Sequence, residues 1–136
     1  MRAAIVGLRT DTSPLQILRA SLEAVASRFR LVYDILRRRL GEPAQVIATG
    51  GALLHSPAWT QMMADALGRP VIPCLEQEAT SRGAALVALE RLSAIKSIGE
   101  PPAELGSPIQ PDPENAALYE RALELQTSLY RKLFEE

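Results

Sequence analysis

The stretch 44–68, AQVIATGGALLHSPAWTQMMADALG, holds the transitions that decide the fold. AQVIAT is a short β-branched run that meets Gly50-Gly51 at once, the pattern of a strand ending in a turn. Ser56-Pro57 then joins a good helix N-cap to the residue best tolerated at the first helical position. Trp59, Met62, Met63, Ala66 and Leu67 follow along the helix, which Gly68 stops, with Pro70 just beyond.

The same alternation extends outward. Toward the N terminus, Ala3 to Leu8 reads as a short apolar strand whose end Gly7 marks. Ser13-Pro14 with Gln16 forms the sequence signature of a capping box. Leu15, Leu18, Leu22, Val25, Phe29, Val32, Leu36 and Leu40 follow at steps of 3, 4, 3, 4, 3, 4 and 4. That is one apolar stripe on a long helix, read as a core face, with a coiled-coil seam as the alternative. The arginines Arg28, Arg30, Arg37, Arg38 and Arg39 lie mostly off the stripe and read as a solvated face with dipole-complementing cations in the last turn. Gly41 and Pro43 end the helix.

Toward the C terminus, Val71 to Cys74 reads as a third strand, which Pro73 places at a strand end or a sheet edge. Glu76 and Glu78 read as acidic caps of a helix running through Leu92. Residues 97–113 hold five of the ten prolines and read as a linker or a surface-hugging segment. Asp112-Pro113-Glu114 then caps a final helix. The predicted order is β-α-β-α-β-α plus a C-terminal helix, an α/β layered fold with parallel pairings. The predicted division is a domain over 1–96, a linker over 97–113 and a packed helix over 114–136.

The bulk figures fit one globular unit. The chain has 136 residues, 47% hydrophobic and 23% charged, with a net charge of −1. That balance argues against a strongly basic nucleic-acid binder, and 4% aromatic residues leave little for base stacking. Cys74, the single cysteine, cannot form an intrachain disulfide, and a reducing cytoplasm is the expected setting. No run approaches the ~18 apolar residues of a membrane helix.

Chemistry-bearing patterns are few. Gly50-Gly51 lies between a strand and a helix start, where positive φ and close backbone approach suit a nucleotide or phosphate at the carboxyl edge of a sheet. On spacing alone such a Gly-Gly is more often just a tight turn. It is neither a Walker A loop nor the three-glycine dinucleotide fingerprint. His55 has no second His or Cys nearby and reads as a loop residue, Cys74 as a buried strand residue, and Asp65 as structural or solvent-facing. No Ser-His-Asp set and no metal cluster assembles from the sequence.

Taken together, these blocks resemble the C-terminal domain of the FGGY family of carbohydrate kinases, of gluconate and xylulose kinase type. RAAIVGL (2–8) is similar to that family's strand ending in Gly-Leu. Arg19-Ala20 and Glu23 match its long helix, with Ala24 where glycine is usual. ATGGALLHSPAWTQMMADALG (48–68) resembles its adenosine motif, with four residues, Ala52 to His55, between Gly-Gly and Ser56 where many members have three. EQEATSRGAA (76–85) resembles its Glu-x-x-Glu-Ala-Ser/Thr-x-x-Gly-Ala-Ala block, one residue shorter after Glu76.

The resemblance implies part of an actin/hexokinase-type (ribonuclease H-like) ATPase domain. It casts Gly50, Gly51 and Ala52 along the adenine and ribose of ATP, with Ser56 contacting or shaping the adenine pocket. Glu23 and the 76–85 segment become structural. The implied reaction moves the γ-phosphoryl of MgATP to a hydroxyl of a sugar or sugar acid, with an aspartate as base. No residue here matches that aspartate, a sugar site, a magnesium ligand or a phosphate loop. By this resemblance residues 1–136 read as the C-terminal part of such a kinase, inactive alone. The alternative is a non-catalytic nucleotide-binding or dimerising module. Uncovered apolar surface on the long helix predicts self-association, as a homodimer or a higher species, under either reading.

Overall fold

The computed structural model describes residues 4–134. Its elements run α1 (Pro14–Leu40), β1 (Ile47–Ala48), α2 (Gly51–Leu54), α3 (Pro57–Leu67), β2 (Ile72–Pro73), α4 (Ala79–Arg91) and α5 (Pro113–Phe134). β1 and β2 pair in parallel, Ile47 opposite Ile72 and Ala48 opposite Pro73. The crossover between them carries α2 and α3.

The helix boundaries follow the local chemistry. The capping box at α1 is complete: Ser13 Oγ accepts from the Gln16 N–H, and the Gln16 side chain accepts from the Ser13 N–H at 2.7 Å. Gly41 caps the other end with φ +84°. Ser56 caps α3, and Gly68, in the left-handed region at φ +63°, closes it. Asp112 Oδ1 accepts from the Glu114 and Asn115 N–H groups at the start of α5.

α3 is the centre of the core. Ala64 and Leu67 pack with Ala48 and Val71, joined by Tyr33, Val46, Leu53 and Ile109. Met63 and Ala66 pack with Ala26 of α1, joined by Tyr119 of α5. Ala26 and Ala64 have no exposed surface, which lets the helix backbones approach closely. Asp65 is also buried, with its charge distributed over three bonds: Gln61 Nε2 and the Asp112 N–H donate at 2.8 Å, and Asn115 Nδ2 donates at 3.2 Å. It is therefore a structural residue that fixes α5 to α3.

Residues 97–112 run beside β2. Val71 bridges Ile109 and Cys74 bridges Leu105, both antiparallel. Arg82 secures this strap by donating to the Pro101 and Pro102 carbonyls at 2.8 and 2.9 Å. A Cβ at Gly106 would meet Pro73 Cγ at 2.9 Å, so the strap passes β2 too closely for a side chain.

Several sequence expectations are corrected. Residue 3 lies outside the described residues, and Ala4 to Leu8 form no strand: they pair with no other segment among those described, and an unpaired strand leaves its backbone groups unsatisfied. The strands expected over 44–49 and 71–74 contract to two residues each. The Leu15–Leu40 stripe is not a buried core face; Leu18 is 57% exposed and Phe29 53%, and α1 buries Ala26 and Ser27 instead. Glu78 makes no side-chain cap, and Glu76 pairs with Arg82 Nε at 3.1 Å. Arg30 is not solvated: it pairs with Asp34 and donates to the Ala66 and Leu67 carbonyls at the end of α3.

Candidate functional site

The glycine turn sits at the carboxyl end of β1. Gly50 adopts φ +105° and ψ +142°, a conformation that a residue with a Cβ rarely enters. Nothing lies within 4 Å of the place a Gly50 Cβ would take, so the glycine answers a backbone requirement and leaves open space beside it. The Gly50 carbonyl turns inward and accepts from the Leu53 and Leu54 N–H groups at 3.1 and 3.2 Å. Gly51 and Ala52, the first two residues of α2, are exposed and donate to no group among the described residues.

Sequence reasoning misses α2, a four-residue helix with no side-chain cap. The chain is held in this corner by Thr60, which is 2% exposed and donates its hydroxyl to the Leu53 carbonyl at 2.8 Å. The Ser56 N–H also donates to the Leu53 carbonyl, at 3.2 Å. Thr60 stands four residues after the N-cap Ser56, a spacing that put it on the α3 face returning to α2. Nothing in composition singled it out.

The structure thus brings Gly50, Gly51 and Ala52 together as one exposed edge, with Ser56 one turn away at the head of α3. Ser56 is half-buried, and its hydroxyl already accepts from the Trp59 N–H at 3.4 Å. The His55 ring leans back on the turn, its Cδ2 at 3.6 Å from the position of a Gly51 Cβ. Trp59 Nε1 is buried and has no acceptor among the described residues. Cys74 is buried, at its bridge with Leu105.

What this edge offers a ligand is backbone. It has open space and unbonded main-chain N–H groups. They supply no side-chain charge. Surface cavities of about 390 to 570 Å³ among the described residues lie around α1, the end of α3, α5 and the 41–47 segment. No group of three or more His, Cys, Asp or Glu side chains among the described residues is placed to hold a metal. No helix among them is long and apolar enough to cross a membrane.

A parallel strand pair flanked by helices, with an open glycine turn at its carboxyl edge, is part of an α/β layered fold, and the solved structures it superposes on are kinases of the actin/hexokinase-type fold. The profile described as "FGGY family of carbohydrate kinases, C-terminal domain" matches residues 1–90, and the chain belongs to that family. Among curated relatives it is 34% identical to glycerol kinase 1 of Thermotoga maritima over 101 residues, 74% of this chain and 20% of the relative. It is 36% identical to glycerol kinase of Paenarthrobacter aurescens over 99 residues, 73% of this chain and 20% of the relative. Among solved structures, xylulose kinase from Rhodospirillum rubrum superposes with a TM-score of 0.77 at 29% identity, covering 94% of this chain and 26% of that one. A Brucella ovis xylulose kinase gives a TM-score of 0.85 at 24% identity, over 98% of this chain and 28% of that one, a likeness of fold. The chain spans about a fifth of the length of the curated relatives it matches.

Proposed function

We propose that this chain supplies the adenosine-facing part of the ATP site of a carbohydrate kinase, with Gly50, Gly51 and Ala52 along adenine and ribose and Ser56 shaping the adenine pocket. The observation that carries the reading is the exposed Gly50–Ala52 backbone at the carboxyl end of β1, in a chain matched by the family's C-terminal domain. The acceptor is a hydroxyl of a small polyol, sugar or sugar acid, in keeping with relatives named glycerol, xylulose and gluconate kinases. Magnesium enters as the ion that accompanies ATP. The cytoplasm, where ATP is abundant, is the proposed location.

In this reading the chain binds and orients, and the proton transfer lies with an aspartate that no residue of this sequence matches. The isolated 136 residues are expected to bind ATP in the millimolar range and to turn nothing over. Trp59, the single tryptophan, follows Ser56 by three residues and serves as an intrinsic reporter. Adding ATP should shift Trp59 fluorescence and the backbone amide resonances of residues 50–56. Unmoved resonances at those positions at saturating ATP reject the reading.

A second reading, a non-catalytic module that associates through α1, is favoured by one specific observation. Leu18, Phe29, Val32 and Leu36 of the α1 stripe are each about half exposed. Self-association is expected under either reading, so nucleotide binding separates them: association by sedimentation equilibrium with no ATP-dependent shift at residues 50–56 favours the module.

A further inference from the structure

The end of α3 remote from the glycine turn borders a cavity of about 570 Å³. The 11 residues of α3 put about 16 Å between the two places. Arg30, Arg37 and Arg69 are among the residues lining the cavity, with Tyr33 beside them and Glu120 contributed by α5. The carboxylates that hold the arginines, Asp34 and Glu42, are not part of the lining.

The guanidinium groups are fixed but not used up. Arg30 spends Nε on Asp34 and Nη1 on the Ala66 and Leu67 carbonyls. Arg37 spends Nη1 on Glu42 at 3.1 Å, and its Nη2 stays 3.7 Å from Asp34. Arg69 spends Nη1 on Tyr33 and Glu42. Arg30 Nη2, Arg37 Nε, and Arg69 Nε and Nη2 donate to no acceptor among the described residues. Arg30, largely buried with its partner Asp34, is held by these bonds and loses little further freedom when a ligand arrives, whereas the Arg37 and Arg69 pairs with Glu42 are more exposed. Guanidinium forks match the oxygens of phosphate and carboxylate groups. Glu120 adds the second half of the specificity. It is exposed and makes no bond or ion pair among the described residues, so it opposes a bare anion and accepts from a hydroxyl. The cavity is of small-molecule size.

We propose that this cavity is a binding site for a phosphomonoester of a small polyhydroxyl compound, with the phosphate on Arg37 and Arg69 and the hydroxyl groups toward Glu120. The proposal stands apart from the nucleotide reading, because its signals arise at Gly68, Arg69 and the arginine side chains and not at residues 50–56. The test titrates the whole chain with glycerol 3-phosphate at constant ionic strength, with inorganic phosphate and glycerol as comparison probes, followed by amide and arginine Nε–H resonances. The expected result is saturable movement of Gly68, Arg69 and Arg37, tighter for glycerol 3-phosphate than for phosphate, and none for glycerol. Arg69→Gln should weaken binding about tenfold. Because Arg69 also anchors the 41–46 segment, Glu120→Gln is the independent variant. It should tighten inorganic phosphate and remove the advantage of glycerol 3-phosphate. Non-saturating shifts, an equal response to chloride, or an unchanged probe preference in Glu120→Gln overturns the proposal.

Discussion

At the scale of single residues, the buried polar groups outweigh the glycines in what they fix. Asp65 accepts three hydrogen bonds, two of them from residues about 50 positions away that open α5. Replacing it with alanine strands the Asp112 N–H and the Asn115 amide; an unsatisfied buried group costs about 1–3 kcal/mol. Urea unfolding of Asp65→Ala should show that loss, with α5 resonances most affected. Thr60→Val removes the donor to the Leu53 carbonyl and should cost a similar amount by the same measurement. Gly50→Ala acts differently, since space is open and the backbone is not. Forcing an alanine to φ +105° should cost about 1–3 kcal/mol and abolish the ATP-dependent shifts of residues 50–56. Binding that survives in Gly50→Ala would remove the turn from the nucleotide site.

At the scale of elements, what the sequence makes legible is whatever is decided locally. Ser13, Pro14, Gln16 and Gly41 delimit α1 as read, and Ser56, Pro57 and Gly68 delimit α3, because caps are settled within four residues of chain. The strands were overread because pairing is not local. AIVGL has the composition of a strand, but no described segment lies alongside it. α2 was missed because the bond that stabilises it comes from Thr60, in the next helix. The glycine turn itself was legible as a pattern, whereas the arginine cluster was not: Arg30, Arg37, Glu42 and Arg69 are scattered over 40 positions, and only the fold joins them.

That cluster also makes a pH prediction about the 41–46 segment. Partial desolvation pushes the Glu42 carboxyl up, but the Arg37 hydrogen bond and the Arg69 and Arg37 charges outweigh it and hold the carboxyl below its ordinary range. A carboxylate with a lowered folded pKa adds stability that is present above its unfolded value and lost as pH falls through the folded one. The melting-temperature gap between the wild type and Glu42→Gln should therefore be constant near neutral pH. It should shrink below about pH 4.3, the unperturbed value for glutamate. A gap that persists unchanged into strong acid would show that Glu42 acts through packing and not through charge.

At the scale of the whole molecule, surface area is the telling quantity. The chain exposes 10274 Å². A compact monomer of its 14.8 kDa mass would expose roughly 7,000 Å². The excess is too large for scattered surface leucines, and it gathers on the helices: α4 and α5 contain no fully buried residue, and the α1 stripe turns away from α3. A seam with steps of three and four suits a covering layer, and among the described residues the 15–40 stripe is an open apolar face. A standard protein–protein interface takes about 800 Å² from each partner, well within the excess. In isolation the chain should therefore self-associate at micromolar concentrations, visible by sedimentation equilibrium. Replacing Val25, Phe29 and Val32 together with serine should shift it to monomer while helical circular dichroism is retained, because all three side chains are about half exposed. Retained association in the triple variant would move the interface to the groove between α1 and α5, where Leu125 and Leu133 are also exposed. A wild-type chain that stays monomeric and binds no apolar dye would mean that the stripe is covered from within, by a rearrangement of α4 or α5 over α1.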